Sequence, residues 1–462
     1  MKHIHLIGIS GSGLSAIARL LVESGYQVSG SDRLPTAVTR ELEQMGATIY
    51  TGHAAANIQS ADLVVRSSAV PDDNVEVMAA RQNHIPVLKR AEFLNQLLAE
   101  KTVIAIAGTH GKTTTTAMAA WALKQIGRDP SYLIGGVSKD LGNNAHAGAG
   151  PEFIIEADEY DRMFLGLDPD VILITYLEHD HPDCFPTPQD YRQAFIEFIQ
   201  RLSPAGLLIV NGDHAPTASI ITEAPPTCRA FLVGVSENVH YQAANLSPLA
   251  GGGTSFDLIF TQAGQWQSLG KFSISLPGLH NLRNALTILA MAHQQALPLD
   301  EVGRALLAFS GTSRRFDLLG KVGGITIVDD YAHHPTEIQA TLQAARSRFP
   351  GQRIWAVWQP HTYSRTRTLQ QEFCQAFADA DQVIVTEVFA AREMDPGFSS
   401  RQVAEAIRGP QVHFSPTLAD ATQTLLSQLQ PGDVLLVLSA GDADGISRDV
   451  FSALQKKEKQ DA

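Results

Sequence analysis

The sequence predicts an α/β protein of three domains built on mostly parallel sheets. Short apolar runs rich in Val, Ile and Leu alternate with helical stretches. Several of those runs lead directly into a glycine-rich turn and then a helical pattern. The length, 462 residues, exceeds what one core sustains and suits units of about 100–200 residues. Hydrophobic residues are 44% and charged residues 18%, a globular balance. The formal net charge of −13 argues against a general nucleic-acid binder, yet leaves room for a local cationic pocket. Cys184, Cys228 and Cys374 are odd in number and dispersed, which implies neither a disulfide framework nor a zinc knuckle. The chain enters a strand without a signal-like apolar segment, and no apolar run nears about 18 residues. A cytoplasmic location without membrane insertion is therefore expected.

Taken in order, the runs at 5–7, 103–106, 171–174, 207–210, 383–385 and 434–438 read as buried strands. The pattern restarts near residues 100–101 and again across 311–321, dividing the chain at 1–100, 101–312 and 313–462. Gly251, Gly252 and Gly253 mark a hairpin or loop inside the middle unit, and the charged tail 456–462 is expected to fray.

The first strand leads into Gly8-Ile9-Ser10-Gly11-Ser12-Gly13, a G-x-G-x-x-A pattern completed by Ala16. Asp32 follows after a second strand, as in a Rossmann-like domain. Glycines let backbone approach a pyrophosphate, and the helix start offers unpaired N–H groups. NAD and any diphosphate nucleotide, including a UDP-sugar, meet the same physics; a tight turn without ligand is the plainer alternative.

The second loop, Ala107-Gly108-Thr109-His110-Gly111-Lys112-Thr113-Thr114, precedes a helix expected over 115–124. It carries the G-K-T core of a phosphate loop, with its first glycine closer than in the usual spacing. The amides can cradle phosphates, Lys112 can neutralise the β/γ oxygens, and Thr113 can hold Mg²⁺. Two acidic clusters follow strands downstream: Glu156-Ala157-Asp158-Glu159-Tyr160-Asp161 and Glu178-His179-Asp180-His181. Hard oxygens with one imidazole suit Mg²⁺ or Mn²⁺ beside a γ-phosphate. A zinc reading from His179 and His181 is weak, since Cys184 is the one cysteine near them. Further on stand His280-Asn281-Leu282-Arg283-Asn284 at a helix start, Arg314-Arg315-Phe316-Asp317, Asp329-Asp330-Tyr331-Ala332-His333-His334 and His361-Thr362-Tyr363-Ser364-Arg365. Arginines there suit bidentate contacts to phosphate or carboxylate.

In this order, HLIGISGSGLSAIA, GTHGKTTTT, EADE, the H-D-H-P-D stretch, GLHNLRNAL, RRFD, DDYAHHPTEI and QPHTYSRTRTL resemble the Mur ligase family over nearly the whole chain. The resemblance implies an N-terminal Rossmann-like UDP-binding domain, a central P-loop-type ATPase sheet and a C-terminal Rossmann-like α/β domain that brings the amino acid and closes over ATP. It implies an ATP-dependent ligase joining L-alanine to the lactyl carboxylate of UDP-N-acetylmuramate through an acyl phosphate. Gly8, Ser10, Gly11, Gly13, Asp32, Ser67 and Ser68 would then bind the UDP part. Gly108, Thr109, His110, Gly111, Lys112, Thr113 and Thr114 would surround the ATP phosphates. Thr113 would hold a first Mg²⁺, Glu156 and His181 a second, with Glu159 as a further contributor. His280, Asn281 and Asn284 would lie near the adenine, Asp330 near the ribose, and Arg315 would reach the γ-phosphate. His333, His334, His361 and Arg365 would line the carboxylate and amino-acid pocket, His333 or His334 taking the ammonium proton.

The chain departs from the family pattern in two places. Tyr176 stands where T-N-x-E-x-D-H has its asparagine, and Tyr160 follows EADE where serine is commoner. On that reading Tyr176→Asn is expected to alter amino-acid or carboxylate kinetics more than ATP affinity. No lysine lies between Lys139 and Lys271, so the carbamylated lysine some members use is absent. A ligase adding a tripeptide to the same sugar nucleotide, a nucleotide-sugar-binding protein without turnover and an NAD dehydrogenase remain open as alternatives.

Overall fold

The computed structural model describes residues 2–224, 227–391 and 393–461, in which the chain folds around three sheets. The first has five parallel strands in the order Thr48–Thr51, Gln27–Asp32, His3–Ile7, Leu63–Arg66 and Val87–Lys89. The order reverses at His3–Ile7, which opens a crevice at the carboxyl ends of the strands, and the first glycine loop lies there.

In the second, ten-stranded sheet, Thr102–Ala107 lies between Val171–Ile174 and Glu152–Glu156, all parallel. The phosphate loop and both acidic motifs therefore leave neighbouring strands at the same edge. At one side the sheet turns antiparallel through Tyr241–Pro248, Thr254–Gln262 and Gln265–Ile274. Gly251 and Gly252, with φ of +89° and +95°, make the expected hairpin turn between the first two of these strands. The helix after the phosphate loop spans Lys112–Gln125, beginning at Lys112 rather than at residue 115. Its Thr- and Ala-rich middle is buried on every side, between the sheet and the helices Leu279–Gln294 and Leu299–Ala308. The Thr115 and Thr116 hydroxyls donate to the carbonyls of Gly111 and Lys112, each at 2.8 Å, so burial leaves neither donor unmet.

The third sheet runs Asp317–Val322, Ile325–Asp330, Val434–Leu438, Ile354–Trp358, Gln382–Thr386 and Gln411–Ser415. It is parallel except for Asp317–Val322 at its edge. Helix Asp444–Asp461 continues into the tail, and upstream Ile446, Val450 and Leu454 form one apolar stripe on this sheet. Ala462 lies outside the described residues. Among the described residues no helix is long and apolar enough to cross a membrane.

Candidate active site

The phosphate loop is built by close approach. Gly108 and Gly111 have φ of +136° and +82°; a Cβ on the first would stand 2.3 Å from Thr175 Oγ1, and on the second 2.8 Å from Asn284 Oδ1. The loop thus closes on the neighbouring strand end and on helix Leu279–Gln294. Thr109 fastens it, donating its amide to the Tyr176 carbonyl (2.6 Å) and its hydroxyl to the Glu178 carbonyl (2.8 Å). Lys112 Nζ turns back on the Gly108 carbonyl and pairs with the fully buried Glu159 at 2.9 Å. Burial pushes the Glu159 carboxyl up to about 7 against the pull of Lys112. Burial also opposes the Lys112 charge, but Glu159, Glu156 and Asp158 outweigh it and raise its pKa.

Thr113 Oγ1 donates to Glu156 at 3.0 Å, and the Gly135 amide donates to the same carboxylate at 2.6 Å. Burial lifts the Glu156 carboxyl. A hydroxyl facing a half-buried carboxylate at the end of a phosphate loop is a hard-oxygen set that fits Mg²⁺. His181 lies with Glu159, Nε2 to Oε1 at 3.9 Å, and burial depresses its pKa to about 4. Its imidazole is therefore neutral, the form that ligates metals. His179 donates Nε2–H to the Phe185 carbonyl (2.8 Å), and neither it nor His181 belongs to a cluster of three converging metal-ligating groups among the described residues.

A cavity of about 270 Å³ separates this loop from the last domain. His280, Asn281 and Asn284 line it from the start of helix Leu279–Gln294, and Arg315, Asp330 and Glu337 from across the domain junction. Arg315 rests over the Tyr331 ring, 5.0 Å from its centroid, with Nη1 3.7 Å from Glu337. Its neighbours Arg314 and Phe316 hold φ of +59° and +47°, conformations that L residues rarely adopt. Asp330 anchors that turn, accepting the amides of Phe316 (2.7 Å) and Ala332 (2.8 Å). The ribose contact expected of Asp330 has only its remaining lone pairs, and burial lifts its carboxyl to about 6.

The junction itself is sewn together by charge. His110 Nε2 and His334 Nδ1 converge on one Glu178 oxygen, the second at 3.0 Å, while His110 Nδ1 meets Glu337 at 3.1 Å. Thr336 donates to the other Glu178 oxygen at 3.0 Å. Arg365 bonds Asp180 through Nε (2.9 Å) and Nη2 (2.8 Å), both side chains being buried. Arg365 is a cross-domain tie, its guanidinium also bonded to His361 Nδ1 (3.2 Å). His334 is only 4% exposed and lies at the junction. His333 is better disposed: its Nδ1 faces only acceptors, the Tyr331 carbonyl (3.0 Å) and Glu337 (3.2 Å), which makes Nδ1 the donor and leaves the Nε2 lone pair. Its ring meets that of His361, which stacks on Phe389.

This junction carries a pH signature. Burial opposes the charge on His110, but Glu337 and Glu178 prevail and raise its pKa to about 9. A raised histidine pKa means stabilisation complete below about 6.5 and lost as pH rises through 9. The melting temperature should therefore fall between pH 7 and 9, and the slope should flatten in His110→Gln. An unchanged slope in that variant would refute the assignment.

At the first loop, Gly8 has φ +85° and donates its amide to the Ser31 carbonyl at 2.9 Å. Gly11 caps helix Ser12–Glu23. Asp32 accepts the Ser10 amide (3.0 Å) and hydroxyl through one oxygen and the Arg33 amide (2.7 Å) through the other. Ser67 packs beside Gly8, and Ser68 is exposed. Sequence reading missed Arg90: a Cβ on Gly13 would lie 1.8 Å from its Nη1, and its Nη2 is 3.6 Å from Asp158. Arg90 lines a second cavity, of about 120 Å³, with Ser12, Gly13, Glu156 and Asp158. Sequence reading also gave no role to Glu337, which the DDYAHHPTEI string could have flagged, and it took Glu178 and Asp180 as members of a metal-binding cluster; in the structure these three are the acidic halves of the junction.

Comparison with known proteins finds one family along the chain. Residues 3–102 match the Mur ligase family catalytic domain, 106–292 the Mur ligase middle domain and 314–441 the Mur ligase glutamate ligase domain. The UDP-N-acetylmuramate–L-alanine ligase of a Roseiflexus species is 42% identical, covering 98% of this chain and all of that protein. The enzyme of the same name from Desulforamulus reducens is 41% identical, over 99% and 98%. Among solved structures, the UDP-N-acetylmuramate–alanine ligase of Thermotoga maritima is 28% identical with a TM-score of 0.82, over 99% of this chain and 100% of that one. A murein peptide ligase from Psychrobacter arcticus is 26% identical with a TM-score of 0.71, over 98% and 99%.

Proposed function

The chain belongs to the Mur ligase family, and from that membership we propose that it joins L-alanine to the lactyl carboxylate of UDP-N-acetylmuramate, consuming ATP, to give UDP-N-acetylmuramoyl-L-alanine, ADP and phosphate for peptidoglycan synthesis. One observation supports it most. Thr113 lines the larger cavity, Glu156 the smaller, and the two side chains are hydrogen-bonded, so the chambers beside the two glycine loops meet at Glu156. A reaction that brings the carboxylate of one nucleotide to the γ-phosphate of another needs that convergence.

On this reading residues 1–100 hold the sugar nucleotide, 101–312 hold ATP, and 313–462 bring the amino acid and close the site. The lactyl carboxylate attacks the γ-phosphate, ADP leaves, and an acyl phosphate forms. The L-alanine amine then adds to the acyl carbon, and the tetrahedral intermediate expels phosphate to leave the amide. Lys112 leaves Glu159 for the phosphoryl oxygens, and Arg315 meets them from across the cavity. Thr113, Glu156 and His181 would hold Mg²⁺, which when bound supplies positive charge to those oxygens. His333 Nε2 takes the proton of the alanine ammonium in the pocket it shares with His361. The ties Arg365–Asp180 and His334–Glu178 keep the last domain closed and water away from the acyl phosphate.

The test is phosphate release from ATP with UDP-N-acetylmuramate, adding L-alanine or an L-alanyl-γ-D-glutamyl-diamino acid tripeptide in turn. Release with L-alanine is expected; release with the tripeptide alone would move the chain to the peptide ligases. Arg90, over the first glycine loop, is the side chain best placed for the sugar diphosphate. Arg90→Ala should raise KM for UDP-N-acetylmuramate about tenfold with less effect on kcat. An unchanged KM would remove Arg90 from that site.

A further inference from the structure

Tyr176, where the sequence leaves the family pattern, has a half-buried ring in the wall of the larger cavity. One side of the ring lies on His214, with centroids 4.1 Å apart and planes 18° from parallel. His214 is itself fixed: its Nδ1 bonds the Thr217 hydroxyl at 2.8 Å, and that hydroxyl accepts the Leu177 amide at 2.9 Å. Burial lowers the His214 pKa, so this backing ring is neutral and stacks as an aromatic surface. Tyr176 is stiff at the main chain too, where its carbonyl takes the Thr109 amide. Beside it Arg283, held by Asp213 at 2.7 Å, lines the same cavity, as do His280, Asn281 and Asn284 from the same helix. The cavity therefore offers, near a helix start rich in amides, one rigid aromatic plate with a second ring bracing it. A flat, polarisable ring with hydrogen-bonding edges is the ligand chemistry such a wall takes.

We propose that Tyr176, braced by His214, is the platform on which the purine of ATP stacks, and so a residue that sets the choice of nucleotide base. The inference rests on the cavity being the ATP site. It also turns the expectation for Tyr176→Asn from amino-acid kinetics to nucleotide affinity. An asparagine offers an amide where the tyrosine offers a face, so the variant loses stacking area without losing the main-chain bond to Thr109.

Calorimetric titration with ADP and with inorganic tripolyphosphate, which has no base, tests it in the full-length protein. Tyr176→Asn should weaken ADP about tenfold and leave tripolyphosphate unchanged, while Tyr176→Phe keeps the wild-type ADP affinity. His214→Ala should produce a smaller loss of the same kind. In steady state Tyr176→Asn should raise KM for ATP, retain kcat at saturation, and narrow the preference for ATP over CTP. Unaltered titration with UDP-N-acetylmuramate reports that the variant is folded. Equal loss of tripolyphosphate would mean that the ring acts through the phosphate loop, and would overturn the proposal. So would undiminished ADP binding, or a phenylalanine variant as weak as the asparagine one. A wild-type protein that binds no ADP would instead bring down the reading of the cavity as the ATP site.

Discussion

Lys112→Ala is expected to lower kcat about a thousandfold while leaving the affinity for UDP-N-acetylmuramate intact. On the proposed reading the Lys112 ammonium, paired with Glu159 in the structure, turns to the transferring phosphoryl group, which Arg315 meets from across the cavity. Nothing else on the phosphate loop replaces it: His110 is held between two carboxylates, and Thr109 is tied to backbone. Sugar-nucleotide affinity should survive because the first glycine loop belongs to a different sheet. Removing Lys112 leaves Glu159 buried with only the Tyr191 hydroxyl (3.1 Å) and His181 (3.9 Å) as polar neighbours among the described residues. That carboxyl already sits near 7, so it protonates instead of unfolding the site. Lys112→Met combined with Glu159→Gln removes both charges and should be equally inactive. The readouts are phosphate release for rate and calorimetry for UDP-N-acetylmuramate. Loss of sugar-nucleotide affinity on the scale of the lost rate would sink the separation of the two sites.

Arg365→Met should lower kcat about a hundredfold and depress the melting temperature, because it strands a buried anion at the domain junction. Asp180 makes the effect large. Burial alone would raise its carboxyl, yet the Arg365 guanidinium beside it holds the pKa far below the usual range. The same partnership predicts strong coupling. Asp180→Asn in the Arg365→Met background should recover part of the lost stability, a non-additivity that a double-mutant cycle in thermal unfolding measures directly. Two small, additive effects would show that the pair does not hold the domains together.

Most of the chemistry was legible because it lies in contiguous strings. The G-K-T loop, Glu156 after a strand and the His280–Asn284 helix start each carry type, spacing and context within a few residues. The hairpin at Gly251 was legible for the same reason. The junction was not. Asp180 and Arg365 lie 185 positions apart, and neither string reveals that each neutralises the other. Arg365, expected to meet a substrate carboxylate, is already paired with an anion of the protein itself. Arg90 was overlooked because it is the first residue of an otherwise ordinary helix, and only the fold brings it over Gly13. The tail is a different case. Its charges suggested fraying, and the helix that carries the apolar stripe upstream at Ile446 and Val450 continues into it.

The arginine set between two left-handed residues has a consequence for the birth of the protein. A chain emerging from the ribosome presents the sugar-nucleotide loop, the phosphate loop and both acidic clusters well before Arg315, Asp330 and Glu337 appear. Until Asp330 takes the amides that shape the turn at 314–316, Arg315 has no fixed direction. On the proposed reading, completion of the last sheet is the step that fixes Arg315 for the phosphoryl group.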